Sequence, residues 1–556
     1  DKEGEAWDRR KLATAYQNIG RGRDAVAEFQ KALALRRELG QPDKVLDVLD
    51  ALGQAQEAIG DYKASLATHQ EALQLARQAK SRIDESSAIT GIGKAQLGLG
   101  QAAQALQSFE QALVIDVELA NRNAQRIDYT TLGDVHRSLK QWPQALEAYQ
   151  KALDLARELN NSDAEAGTHT RIGNLAFDQE QYAESIAAYD RALAVHESRG
   201  DPVNQSIDLG NAANAYKQQG DLEGAHQRYL RAIALVQRAQ HVPYEAKWNY
   251  RDADVLDAMK QPEAALAAST RSVELYRKTG DTEALRSALS QLGNLLRSQD
   301  DAAGAVAVLE EAVALHRAAG DMASVSRDVS RLAQAKEATG DFEGALQAYR
   351  GGVEADVALG DKSGEAWDRA KVAKMLREKG RHAEAVPELQ RLTELYAGLG
   401  KQDELRVAYN DLGWSQKSSG DYAGSLVSYQ AALKLGRELN TPSGQGVSLT
   451  GIGLAQRGLG NYAAALAAYQ EALAIDQRLG DKTAERVDHI TIADVQRDLK
   501  HDDEAVASLQ RALALARELN DPSLVGSSLN TLANLYADLG KNDLALQGYD
   551  EAISVA

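Results

Sequence analysis

The chain has 556 residues, a formal net charge of −18, no cysteine, 8 prolines and 5% aromatic residues. The missing cysteine excludes disulfides, thiolate metal sites and cysteine nucleophiles. The acidic balance disfavours a nucleic-acid backbone or an anionic membrane surface as the main partner. No apolar run of about 18 residues occurs, so no membrane-spanning helix is expected, and the Ala-, Leu-, Gln-, Glu- and Arg-rich composition favours helix throughout.

Laid out in rows of 40, the sequence aligns without an insertion through 13 full rows and a last row of 36. A fixed period of this size marks a stacked repeat. With row positions numbered as columns 1 to 40, columns 9, 12, 13 and 16 share one helical face, and columns 25, 29 and 32 another. Each row therefore predicts helix A, turn, helix B, turn. In row 1 these faces are Arg9, Leu12, Ala13 and Tyr16, then Ala25, Phe29 and Ala32. Column 25 is Ala or Ser and column 13 Gly or Ala in every row, and column 29 is aromatic in nine rows. Small residues let helix axes approach, and large ones fill the space beside them. Column 20 is Gly in nine rows, and column 40 is Gly or Asn in ten of thirteen, which are left-handed helix stops. Asp or Asn often follows, where it can cap the next helix.

Along the chain the rows are not equivalent. DKEGEAWDRR of row 1 returns as DKSGEAWDRA in row 10. TGIGKAQLGLG and RIDYTTLGDVHRSLK of rows 3 and 4 return as TGIGLAQRGLG and RVDHITIADVQRDLK in rows 12 and 13, so rows 1–5 resemble rows 10–14 and a nine-row block begins to repeat. Column 36 carries a weaker recurrence, with Asp116, Asp356 and Asp476 in rows 3, 9 and 12 and His196 and His316 in rows 5 and 8. Row 7, containing AKWNYRDADVLDAMK, puts Asn249 and Asp252 in core columns and predicts an irregularity over 241–280. Gly351 and Gly352 inside one helix B, and Pro387 inside the next, predict a kink or change of superhelical pitch over 350–392. The last row, 521–556, is incomplete. The chain is expected to be one solenoid over 1–556, excised or processed from a longer polypeptide.

TLANLYADLG followed by KNDLALQGYDEA carries Leu532, Ala533, Tyr536, Ala545, Tyr549 and Ala552. On these positions the chain resembles the tetratricopeptide repeat family over its whole length. The usual unit of that family has about 34 residues. The 40-residue variant is similar to repeats of Pins-type adaptors and of bacterial CHAT proteases and STAND signalling ATPases. The resemblance implies an all-α, right-handed α-solenoid superhelix of about 14 helix-turn-helix repeats, with no cofactor or metal, and a cytoplasmic location is expected.

No catalytic constellation is present. The His residues are scattered, and His69 and His136 fall in core columns. GDKS (360–363) and GDKT (480–483) lack the spacing of a phosphate loop and read as turns. The chain is not expected to be an enzyme.

The family's inner positions transfer to columns 7, 10, 11, 14, 17 and 18. Rows 5–9 concentrate Arg171, Asn174, Asn211, Asn214, Tyr250, Arg251, Asn294 and Arg331 there, and Trp367 and Trp414 occupy inner columns further on. Asn both donates and accepts, which suits an extended peptide backbone, and Arg suits a carboxylate-bearing segment. Column 10 holds Arg10, Thr170, Gly210, Tyr250 and Ser290 where the family's carboxylate clamp has Lys, which speaks against a chaperone-tail clamp. Trp7 and Trp367 share column 7, two residues before Arg9 and Arg369; they either replace a missing core residue or present a contact. These features predict a scaffold that binds a protein or peptide in a concave groove, with neither nucleic acid nor membrane as partner. One alternative is a regulatory sensor arm of a bacterial signalling protein. Another is a structural protein assembling end to end, since neither terminal row has a polar cap.

Overall fold

The computed structural model describes residues 1–555, which form 28 helices and no strand. The first two helices, Lys2–Asn18 and Gly22–Glu38, set the pattern, and a new helix begins every 20 residues down to Asn542–Val555. Each connection turns on one left-handed residue. Every residue whose number is a multiple of 20, from Gly20 to Gly540, has positive φ, and eleven of them are not glycine. At the first turn the Gly20 N–H donates to the Gln17 carbonyl at 3.0 Å and the Arg21 N–H to the Tyr16 carbonyl at 2.8 Å. This pair of bonds satisfies carbonyls that a helix end otherwise leaves bare. Asp side chains cap many of the following helices, as where Asp221 accepts from the Gly224 N–H at 2.8 Å.

The chain divides into two compact units, Asp1–Asp281 (rows 1–7) and Thr282–Ala556 (rows 8–14). Within each, a helix packs on the helices before and after it. Helix A of row 2 (Pro42–Ala58) also meets helix A of row 3 (Arg82–Gly98), and rows 11 and 12 repeat this contact. The A helices thus line the more closely spaced side of the stack. The core follows from the columns: Ala25, Ala105, Ala145 and Ala225 are fully buried, as are Phe109, Tyr149, Tyr229 and Tyr469 of column 29. Gly133 shows why column 13 stays small. A Cβ there would lie 2.4 Å from the Tyr149 ring.

Row 7 accommodates its unusual residues by local satisfaction. Trp248 is fully buried, with its indole N–H directed at Ser206 Oγ (3.4 Å), and Gly210 makes room for the ring. Asn249 donates to the Glu245 carbonyl at 2.8 Å, and Asp252 Oδ1 lies 2.8 Å from His226 Nδ1. In row 9, Gly352 lies directly over the buried carboxylate of Asp368, 2.0 Å from where a Cβ would stand. The helix His382–Gly398 runs on through Pro387.

Candidate binding clefts on the A helices

Successive rows meet at a repeated slot. Column 36 of one row, at the end of helix B, faces column 8 of the next row, twelve residues on in helix A. Column 10 of the first row closes the slot. At rows 5 and 6, His196 Nδ1 lies 2.6 Å from Asp208 Oδ2, and Thr170 Oγ1 donates to Asp208 Oδ1 at 3.1 Å. Rows 8 and 9 repeat this with His316, 3.1 Å from Asp328, and Ser290 donating to Asp328.

At three other junctions both positions are Asp: Asp116 with Asp128, Asp356 with Asp368, and Asp476 with Asp488. All six are buried. Ser86 donates to Asp116 at 2.5 Å, and Ser330 to Asp368 at 3.2 Å. Two buried carboxylates in hydrogen-bond reach resist ionising together, so each pair favours sharing one proton until high pH or a cation removes it. Burial, then the neighbouring carboxylate, pushes Asp128 up to about 8 and Asp368 up to about 7. The same causes raise Asp488.

A second relation ties the inner face to the core. In four rows the Tyr hydroxyl of column 29 donates to the column-14 side chain of its own hairpin, whereas Tyr349 donates to Glu337. Tyr149 donates to Asp134, Tyr189 to Asn174 and Tyr229 to Asn214, each at 2.7 Å. This uses the Asn carbonyl oxygen and leaves the amide N–H groups available on the inner side. Row 12 has Leu454 in column 14, and the buried Tyr469 hydroxyl there has no partner.

Clefts open along the A helices in both units, and two of them, in different units, share one set of columns. The first, about 470 Å³, is bounded by Arg137, Thr170, Arg171, Asn174, His196 and Asp208 among others. Arg171 Nε lies 3.3 Å from Asp134, and its Nη1 donates to the Gly167 carbonyl at 3.2 Å. The second, about 540 Å³, runs from Arg377 and Asp411 past Trp414 and Thr450 to Asp476 and Asp488. Trp414 is 42% exposed, with the Lys417 ammonium 4.2 Å from its ring centre. Both clefts use columns 3, 7, 10, 11, 14 and 36 of a central row and columns 7 and 8 of the next.

Of the residues expected on the inner face, Arg171 and Asn174 share the first cleft and Trp414 lines the second. Asn211, Asn214, Tyr250 and Arg251 also belong to the first unit, where the Arg251 guanidinium stands 5.7 Å from the Tyr250 ring centre. Asn294, Arg331 and Trp367 belong to the second unit and lie outside its cleft. Asn294 accepts from Arg297 at 3.2 Å, and Arg331 reaches the buried Asp328 at 3.2 Å. Trp367 is 41% exposed and meets Tyr349 edge-on at 5.9 Å. Trp7 is 53% exposed. Neither of these two Trp fills column 9, because Arg9 and Arg369 pair there with Glu28 and Glu388. The column-8 aspartates escaped sequence reasoning; the recurrence at column 36, read twelve residues on, would have found them.

Among the described residues no group of His, Asp and Glu is placed to hold a metal ion, and no helix is long and apolar enough to cross a membrane. Comparison with known families places the repeat. A model described as "Tetratricopeptide repeat" matches residues 5–78, 84–158, 164–238 and 444–518, more than half of the chain, and a second model with that description matches 285–319. A model of anaphase-promoting complex subunit 5 matches 252–299 and 523–556. No curated protein matches. Among solved structures the chain is similar to BtubC from P. vanneervenii, at 19% identity over 39% of this chain and 91% of that one, with a TM-score of 0.36. It is similar to the apo form of RapI, at 13% identity over 64% and 99%, TM-score 0.45. The quorum sensor NprR from B. thuringiensis, in its apo form, matches at 16% identity over 61% and 99%, TM-score 0.38. With helical hairpins of fixed period throughout and a family model covering more than half its length, the chain belongs to the tetratricopeptide repeat family of protein-interaction scaffolds.

Proposed function

We propose that the chain holds an extended protein segment against its A helices, along columns 7, 10, 11, 14 and 17. The observation that carries this reading is the recurrence of the clefts: two cavities in different units are built from the same columns. In the first, Arg137, Arg171 and the amide of Asn174 offer donors to a backbone or a carboxylate. A photo-crosslinking residue at position 171 or 414, compared with one at Gln70 on a B helix, tests it. Partner adducts at 171 or 414 and none at 70 support the reading; adducts confined to position 70 overturn it.

A second reading rests on the last hairpin, where Leu544, Leu546 and Ile553 are 44%, 61% and 75% exposed. This apolar face suits a further hairpin, supplied by adjoining sequence or by a second copy. Light scattering that stays monomeric across concentration excludes the second copy.

A further inference from the structure

The cleft of the second unit has an acidic floor and apolar walls. Besides Tyr429, five of its lining side chains are ionisable: Arg377, Asp411, Asp476, Asp481 and Asp488. Arg377 pairs with Asp411 at 2.5 Å. The three remaining aspartates have no cation among the cleft's residues. Asp476 and Asp488 are 8% and 2% exposed. Thr450 bonds the Asp488 carboxyl, yet its Oδ2 meets no N–H or O–H donor of the protein. The charged and titratable groups facing the pair are Asp481, at the start of the next helix A, and Tyr469, from helix B of the same row. Neither brings a positive charge. This differs from the first cleft, where the same slot holds His196 against Asp208 and two arginines stand at the rim.

Above this floor the walls are flat and greasy. Trp414, Val447, Leu454 and Val487 line them, and Gly446 and Gly451 keep them open; a Cβ on Gly451 would lie 2.3 Å from the Tyr429 ring. Aromatic and aliphatic walls above a buried, unpaired acid match a long side chain with an apolar stem and a charged head. A carboxylate-bearing side chain would be repelled by this floor, and a neutral one would form no ion pair there.

We propose that this cleft is the specificity pocket for a basic side chain, arginine or lysine, of the bound segment, and that the Asp476–Asp488 pair releases its shared proton to solvent when the cation enters. Before binding, the pair is one carboxyl and one carboxylate. Afterwards it is two carboxylates facing one guanidinium or ammonium. The inference rests on the reading of the A helices as the binding surface and adds the chemistry of the residue selected.

The test titrates the full chain with the blocked tripeptides acetyl-Gly-Arg-Gly-amide, acetyl-Gly-Gln-Gly-amide and acetyl-Gly-Glu-Gly-amide in a calorimeter. The Arg peptide should bind at least about tenfold more tightly than the other two. Its affinity should rise with pH by up to about tenfold per unit while the pair still holds its proton. The heat should differ between two buffers of unlike ionisation enthalpy, by the proton released. Asp488→Asn should abolish the pH dependence. Trp414→Ala, at an exposed position, should weaken binding and keep the pH dependence. Equal binding of the Arg and Gln peptides, or Arg binding without proton release, overturns the proposal even if Asp488→Asn fails to fold. Crosslinks that still map to positions 171 and 414 would in that case leave the scaffold reading standing.

Discussion

The Tyr229 hydroxyl donates to the Oδ1 of Asn214 at 2.7 Å, joining helix B to helix A of one hairpin. An inner-face residue is thereby anchored from the core side. Tyr229→Phe should cost about 1 kcal/mol of stability, a typical net hydrogen bond. Asn214→Leu should cost more, about 1–3 kcal/mol, because the buried hydroxyl is left without a partner. Denaturant midpoints of the two single variants and the double variant measure the coupling; simple additivity would mean that the bond contributes nothing.

Asp128 has its pKa raised to about 8 by burial and by Asp116 beside it. The unfolded chain loses that proton near about pH 4. Between these values the folded state holds more protons than the unfolded state. Stability therefore falls as pH rises from about 4 to about 8, by no more than about 1.4 kcal/mol per pH unit for one pair. Asp368, raised to about 7, works in the same direction in the second unit. Urea unfolding at several pH values should show Asp128→Asn flattening the slope and gaining stability at the alkaline end. An unchanged slope would count against a shared proton.

Ala120 sits at a helix stop with φ of 50°, a position where glycine carries no Cβ penalty. Ala120→Gly should stabilise the protein by roughly 1 kcal/mol. Gly220, with φ of 90°, predicts the opposite: Gly220→Ala should destabilise by at least about 1 kcal/mol. Thermal melts of both variants check the signs.

Gly352→Ala would place a methyl group against the Asp368 carboxylate, which is buried and bonded to Ser330 and has little room to move. The expected loss is about 1–3 kcal/mol, as for other overpacked cores. Adding Asp368→Ala to Gly352→Ala should cost less than Asp368→Ala costs alone, because the collision is gone. Calorimetric melts of the three variants measure that difference.

The hairpins are legible in the sequence because their physics is local. Glycine and asparagine mark the left-handed stops, and small and aromatic columns mark the packing faces. Where Lys140, Glu180 or Asp300 replaces glycine, the unbroken register still carries the stop. The clefts were only partly legible, because their floors are made between rows. An Asp in a charged, acidic helix reads as a solvated side chain. Nothing in RNAQRIDYTT marks Asp128 as the one that turns inward to Asp116. Arg331 shares its column with Arg171 and reads as a groove residue, but the buried Asp328 draws it in. Gly352 reads as a helix weakness until the carboxylate beneath it is seen.

The turns at every twentieth residue have a mechanical consequence. Within either unit each hairpin is held by its immediate neighbours along the chain. A molecule stretched between its ends should lengthen in equal quanta, each releasing 40 residues, or roughly 130–140 Å of contour. The order of those steps would rank the junctions by strength and set the carboxyl pairs against the histidine–aspartate pairs on one force axis.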